Sequence, residues 1–116
     1  MSLETVRISE KAKRQLIAVK QKTGIEHWNV LCRWAFCLSL ADKTPPSPAS
    51  IPLNSNVEMS WKTFGGEYHE LYLALLKQRA RGDGGILSTD HLAKCFKLHL
   101  HRGIGYLAGR HQNMVA

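Results

Sequence analysis

The sequence predicts a mainly α-helical single domain, in which a short strand and two helices are followed by two or three further helices. Three observations carry this expectation. Apolar residues recur at helical spacing through most of the chain. Strand-like alternation is confined to two short stretches, 5–8 and 57–61. A chain of 116 residues with 44% hydrophobic content suits one modest core and no second domain. The expected layout is a strand–helix–helix unit over 1–42, a connector over 43–60 and a helical part over 61–116.

Thr5-Val6-Arg7-Ile8 reads as the first strand. Ser9 then offers a hydroxyl as helix N-cap, and Glu10 places a carboxylate where the helix dipole favours it. The first helix is expected from about Glu10 to Lys22, ended by Thr23-Gly24, because Gly24 adopts the left-handed conformation at no steric cost. On a 3.6-residue wheel Ala12, Leu16 and Val19 share one narrow face. Lys13 and Lys20 border it on one side, Lys11 and Lys22 on the other, with Arg14 further round.

The second helix, about Glu26 to Ala41, is apolar on nearly all sides, interrupted only by Asn29, Arg33 and Ser39. A small monomer has few elements to cover such a helix. Leaving several large apolar side chains in water costs roughly 1.5–3 kcal/mol each. A subunit interface is therefore expected on this helix, with Trp28, Leu31, Trp34, Phe36 and Leu38 as its candidates. The Pro/Ser-rich stretch that follows is an extended surface connector. A third helix is expected at about Glu67–Arg81, with Tyr68, Leu71, Tyr72, Leu75 and Leu76 inward. A fourth runs to about Arg102, with Leu92, Cys95, Phe96 and His99 inward and Lys94, Lys97 and His101 outward. The Gly-rich stretch 103–109 reads as a separate last short segment.

The net charge of +7 is unevenly placed: +4 over 1–22, −2 over 23–76 and +5 over 77–116. Cations gathered at both ends of the chain suggest a polyanion surface. Lys11, Lys13, Arg14, Lys20 and Lys22 are the primary candidates for DNA contact, and Arg79, Arg81, Lys94 and Lys97 a secondary set. No apolar run is long enough to cross a membrane and no leader-like run opens the chain, so a soluble cytoplasmic protein is expected. The odd set Cys32, Cys37 and Cys95, two of them inside an apolar helix, is expected as reduced thiols.

Enzyme signatures are weak. Gly82-Asp83-Gly84-Gly85 lacks the Gly-Lys-Ser/Thr ending of a phosphate loop. His91, Cys95 and His99 line up on one helix, but one straight helix wraps poorly around an ion, so a packed core is expected there rather than a metal site. No catalytic residue, metal or cofactor is expected. The ordered set strand, capped basic helix, Thr-Gly turn and apolar helix is the layout of a ribbon-helix-helix unit, which forms intertwined dimers and reads DNA with strands in the major groove. The helix after the turn can present free N–H groups to a phosphate, although Glu26 competes for them.

The stretch from Arg7-Ile8-Ser9 through Lys22-Thr23-Gly24-Ile25-Glu26-His27-Trp28-Asn29-Val30-Leu31-Cys32-Arg33-Trp34 to Leu38-Ser39-Leu40 resembles the DndE family of DNA sulfur modification proteins. Phe64-Gly65-Gly66-Glu67 and Arg102-Gly103-Ile104-Gly105-Tyr106-Leu107 are similar to it as well. The resemblance implies a small non-catalytic subunit of a system that replaces a non-bridging phosphate oxygen of DNA with sulfur. It also implies a ribbon-helix-helix-related fold and homo-oligomeric assembly, with a tetramer expected. The implied partners are double-stranded DNA, held by its backbone and including nicked DNA, and the other Dnd proteins, namely the sulfur-transfer and ATPase subunits. Two other functions fit the residues: a sequence-specific ribbon-helix-helix regulator of transcription, and a protein–protein adaptor that does not bind DNA.

Overall fold

Residues 4–112 are described in the computed structural model, with side chains as far as Arg110. Of the domain expected over 1–116, residues 1–3 and 113–116 lie outside that description. In chain order the elements are β1 (Thr5–Arg7), α1 (Glu10–Thr23), α2 (Trp28–Ala41), β2 (Glu58–Ser60), α3 (Trp61–Gly65), a 3-10 turn (Gly66–Tyr68), α4 (His69–Gly82) and α5 (Thr89–Gln112). This is the mainly helical domain that the sequence predicts, with a strand and two helices leading it.

The first unit forms for the local reasons its residues supply. Ser9 Oγ accepts the Ala12 N–H at 3.0 Å and starts α1. Gly24, at φ 76°, ends it, its N–H donating back to Lys20 O. Ala12, Leu16 and Val19 are buried along one face, as their spacing requires. The ribbon, however, is closed within the chain. β1 pairs antiparallel with β2, Val6 opposite Met59, with Thr5 opposite Ser60 and Arg7 opposite Glu58. The intertwined dimer expected of a ribbon-helix-helix unit would pair β1 with a partner's β1, and here β2 takes that place.

A second departure concerns α2. Leu31 and Phe36, expected in a subunit interface, are fully buried in this chain's own core. The cover comes from α5, a single 24-residue helix where the sequence suggests a break into two. Gly103 makes the approach possible: a Cβ there would overlap the carbonyl oxygen of Ala35 on α2. Glycine lowers helix propensity, but close helix packing outweighs about 1 kcal/mol of it. Phe36 meets Phe64 and Phe96 at ring-centroid distances of 5.9 and 5.2 Å, and Trp61 closes the cluster against Phe64 and Phe96 at 5.0 Å each.

Trp61, expected to end a strand, instead opens α3 and lies in that core. α4 meets its expected setting in part, with Leu76 buried and Tyr72 packed against Phe36 and Phe64. Leu76 and Ala80 are its buried residues, while Tyr68 and Leu71 are exposed. The aromatic side chains of α3 already fill the space beneath the first turn of α4, and Trp61 Nε1 donates to His69 O at 3.0 Å.

Candidate nucleic-acid interface

All five primary cations lie on α1, and their environments differ. Lys11, Arg14 and Lys22 are exposed. Lys13 and Lys20 are half-buried, on the flank that faces the start of α2. Lys13 Nζ donates to Asn56 Oδ1 at 2.8 Å, and Lys20 Nζ sits 4.2 Å from the ring centroid of Trp28. A cavity of about 580 Å³ opens here, lined by Lys13, His27, Trp28 and Asn29 among others. His27 is the N-cap of α2 and makes no side-chain capping bond. Glu26 also lines the cavity, so the competing carboxylate expected from the sequence is present. Lys11 and Lys22 occupy the opposite flank of α1, with Lys11 beside Ser50, Pro52 and His101. The five thus share the solvent-facing half of one helix but not one pocket.

The secondary set divides. Arg79 belongs to the interior: its guanidinium donates to the carbonyls of Leu40, Asp42 and Thr44, and to Asp83 at 3.0 Å. Such a group is committed and cannot also grip a phosphate. Arg81 and Lys94 are exposed and Lys97 is half-buried. Lys94 and Lys97 line a different groove, beside β1.

Sequence reasoning missed Arg102, the counterpart of Arg79. It donates to the carbonyl of Ser39 at 2.8 Å, to that of Thr44 at 2.8 Å, and through Nε to Ser39 Oγ at 2.9 Å. Tyr106 Oη donates to Asp42 Oδ2 at 2.7 Å. Together the two arginines strap the start of the connector to α4 and α5. Hydrogen bonds from the Thr44 hydroxyl, Tyr106 and the Thr44 N–H hold the Asp42 carboxyl far below the usual carboxylate range. Apart from Asp83, one turn from Arg79, the partners of the two arginines give no short-range signal, because the carbonyls they hold lie 35 to 63 positions away. His101, expected outward, is half-buried: its Nε2 accepts the Ser9 N–H at 3.1 Å and its Nδ1 donates to Lys97 O at 2.8 Å. Burial pushes its pKa below the ordinary histidine value.

Ser39, His99 and Asp83 form a hydrogen-bonded chain that resembles a nucleophile site. Ser39 Oγ is 2.8 Å from His99 Nδ1, and His99 Nε2 is 3.1 Å from Asp83 Oδ2. Ser39 and His99 are fully buried, and Ser39 Oγ already accepts from Arg102, so no substrate reaches the hydroxyl. Cys95 lies beside Asp83 and His99, the three ligand atoms all within 4.8 Å of one another. His91, which the sequence aligned with them, packs against Gly85 instead. The cluster is chemically closed, since Arg79 and His99 occupy the two Asp83 oxygens and the guanidinium would repel a cation. Burial pushes the Cys95 thiol up to about 11, keeping it protonated. Burial would raise the Asp83 carboxyl, but hydrogen bonds from His99 and Arg79 outweigh it and hold it low. The three cysteines are unbridged, with Cys37 exposed.

The remaining interface candidates are half-buried: Trp28, beneath Lys20, and Trp34 and Leu38, which pack against the edge of the core. Val30, Trp34, Cys37, Leu38 and Ala41 share one side of α2, an apolar stripe without a charge.

Comparison with known proteins fits this architecture. No curated protein sequence matches the chain significantly. In structure it is similar to DndE from Escherichia coli B7A, described as involved in DNA phosphorothioation modification. The TM-score is 0.75 at 26% identity, covering 90% of this chain and 95% of that one. It is also similar to a DndE G21/24K mutant involved in DNA phosphorothioation, with TM-score 0.67 and 21% identity over 89% and 96% of the two chains, a likeness of fold. The model of the DNA sulphur modification protein DndE matches residues 5–114, nearly the whole sequence, and the chain therefore belongs to the DndE family.

Proposed function

We propose that this protein is a non-catalytic DNA-binding subunit of the phosphorothioation machinery, which holds the DNA backbone, including at nicks, while the sulfur-transfer and ATPase partners act on it. The observation that carries the proposal is the solvent-facing half of α1. It presents Lys11, Lys13, Arg14, Lys20 and Lys22 against the single acid Glu10, in a chain that belongs to a DNA sulfur modification family. Ammonium and guanidinium groups without a nearby base-reading element contact phosphate and position DNA with little sequence preference. The capless start of α2 beside Lys13 and Lys20 adds N–H donors to the same flank.

Several copies of α1 would make a continuous positive surface. The uncharged stripe of α2, exposed at Cys37 and Ala41 and bordered by the half-buried Trp34 and Leu38, supports self-association and a tetramer through it. Leu31 and Phe36 have no part in it, since the core contains them. The closure of the ribbon by β2 weighs against the transcription-regulator reading, whose dimer needs β1 from two chains.

The test is a salt-dependent binding titration on intact, nicked and single-stranded DNA. Binding should weaken steeply with salt and show little sequence preference. Lys13→Glu with Lys20→Glu should lower affinity about tenfold or more on every sequence and flatten the salt dependence. Unchanged affinity would remove α1 from the DNA surface. One sequence bound about 10³-fold more tightly than random DNA would favour the regulator instead.

A further inference from the structure

β1 has one partner strand among the described residues, and its other edge borders a groove of about 380 Å³. Thr5, Val6 and Arg7 line that groove and no residue of β2 does, so it runs along the outer edge of the ribbon. Backbone alternation fixes what this edge offers. Glu4 O and Ile8 O accept from Trp61 N and Ser55 N on the β2 side. The even-numbered residues therefore turn their peptide groups toward β2, and Thr5 and Arg7 turn theirs into the groove.

The facing wall is α5, which presents Lys94 and Lys97 at one-turn spacing, with Ala93 beside them. Leu53, exposed on the connector, makes the apolar trough with Phe96 and Leu100 beneath it. An open strand edge facing a helix across an apolar trough is the shape in which an extended peptide adds to a sheet. Main-chain hydrogen bonds run along the strand and alternate side chains drop into the trough.

We propose that this groove docks an extended, acidic segment of a partner protein, which adds beside β1 as a third strand. Alternation sets its composition. Inward side chains meet Leu53, with Phe96 and Leu100 beneath it, and are apolar, and outward ones meet the ammonium groups of Lys94 and Lys97 and are acidic. The Arg7 charge is already paired with Glu58, so the two lysines supply the positive rim, with Asp90 the one acid in the groove. A DNA backbone would answer the lysines but leave the apolar trough and the strand edge without partners. The groove lies apart from the α1 cations, so the proposal does not depend on the DNA-binding reading.

The probe is a short fluorescent peptide alternating glutamate with valine, measured by anisotropy against the full-length protein. Saturable micromolar binding is expected, weakened about tenfold or more by Lys94→Glu with Lys97→Glu. N-methylation of the alternate amides that face β1 should abolish binding, whereas methylation of the other set should leave it intact. Lys13→Glu with Lys20→Glu should not affect the peptide, and duplex DNA should not displace it. No binding at millimolar peptide, equal binding of both N-methylated peptides, or displacement by duplex DNA would each overturn the proposal. The same Lys94/Lys97 variant, titrated with DNA, keeps this outcome separate from that of the α1 surface.

Discussion

Two groups of cations in this molecule carry the same charge and do opposite things. On α1, Lys11, Arg14 and Lys22 stand in solvent, and Lys13 and Lys20 lean over neighbouring surface, Lys13 onto Asn56 and Lys20 over the Trp28 ring. Between α4, α5 and the connector, Arg79 and Arg102 keep side-chain exposures of only 15% and 14% and direct their donors at backbone carbonyls. The choice of side chain follows the task. A guanidinium satisfies several fixed acceptors at once, whereas a lysine on a flexible stem suits a mobile phosphate chain. Counting basic residues by region therefore overstates the C-terminal polyanion surface, because two of its cations hold the fold.

The largest predicted effects should come from the internal pair. Arg79→Ala leaves the carbonyls of Leu40, Asp42 and Thr44 and the Asp83 carboxylate with fewer donors. It should destabilise the protein by about 3 kcal/mol in a urea titration, and Arg102→Ala should act similarly. Lys11→Ala or Lys22→Ala should leave the urea midpoint within about 0.5 kcal/mol of the parent. If the Arg79 and Arg102 variants were as stable as the parent yet bound DNA poorly, the division between the two groups would fail. Gly103→Ala probes the same region without touching a charge. The overlap with the Ala35 carbonyl forces α2 and α5 apart, and a loss of about 2 kcal/mol or more is expected in the same titration.

A smaller effect should come from the outer side of α2. Cys37→Asp with Ala41→Asp places two carboxylates on the exposed part of the uncharged stripe. It should shift the size measured by light scattering toward one chain while the circular dichroism of the fold persists. Because Leu31 and Phe36 are internal, aspartate at either should unfold the chain rather than dissociate it. DNA affinity should fall along with assembly in the stripe variant, since fewer copies of α1 then meet one duplex. If DNA affinity held while the chains separated, each protomer would bind on its own.

Much of the first unit was legible because its determinants are local. Ser9, Glu10 and Gly24 carry their capping roles in their own side chains, and Ala12, Leu16 and Val19 state the buried face by spacing alone. What the sequence hid was non-local. The pairing of Val6 with Met59 spans the whole connector, so nothing near β1 announces that its ribbon closes within the chain. The glycines of α5 looked like breaks because propensity reads a missing Cβ as weakness, whereas at Gly103 it is clearance for α2. Similarly, Arg79 and Arg14 are the same residue type on helical segments and separate only when the carbonyls at the end of α2 are brought to α4.

The mildest way to strain the internal group is to change pH and leave the sequence intact. Burial lowers the pKa of both His99 and His101, with the hydrogen bond to Asp83 only partly offsetting it for His99. Unfolded, each imidazole titrates near 6.5. Between that value and the lower folded one, the unfolded chain binds more protons, so stability rises with pH across the window and is lost as pH falls through it. Above the unfolded value the contribution is complete and flat. Each histidine adds at most about 1.4 kcal/mol per pH unit inside the window. The geometry agrees for His101, whose Nε2 must stay unprotonated to accept the Ser9 N–H that opens α1. His101→Asn should therefore shallow the decline in urea midpoint below neutral pH without abolishing it, leaving the His99 share. A decline of unchanged steepness would mean that the latch between α5 and Ser9 does not sense protons.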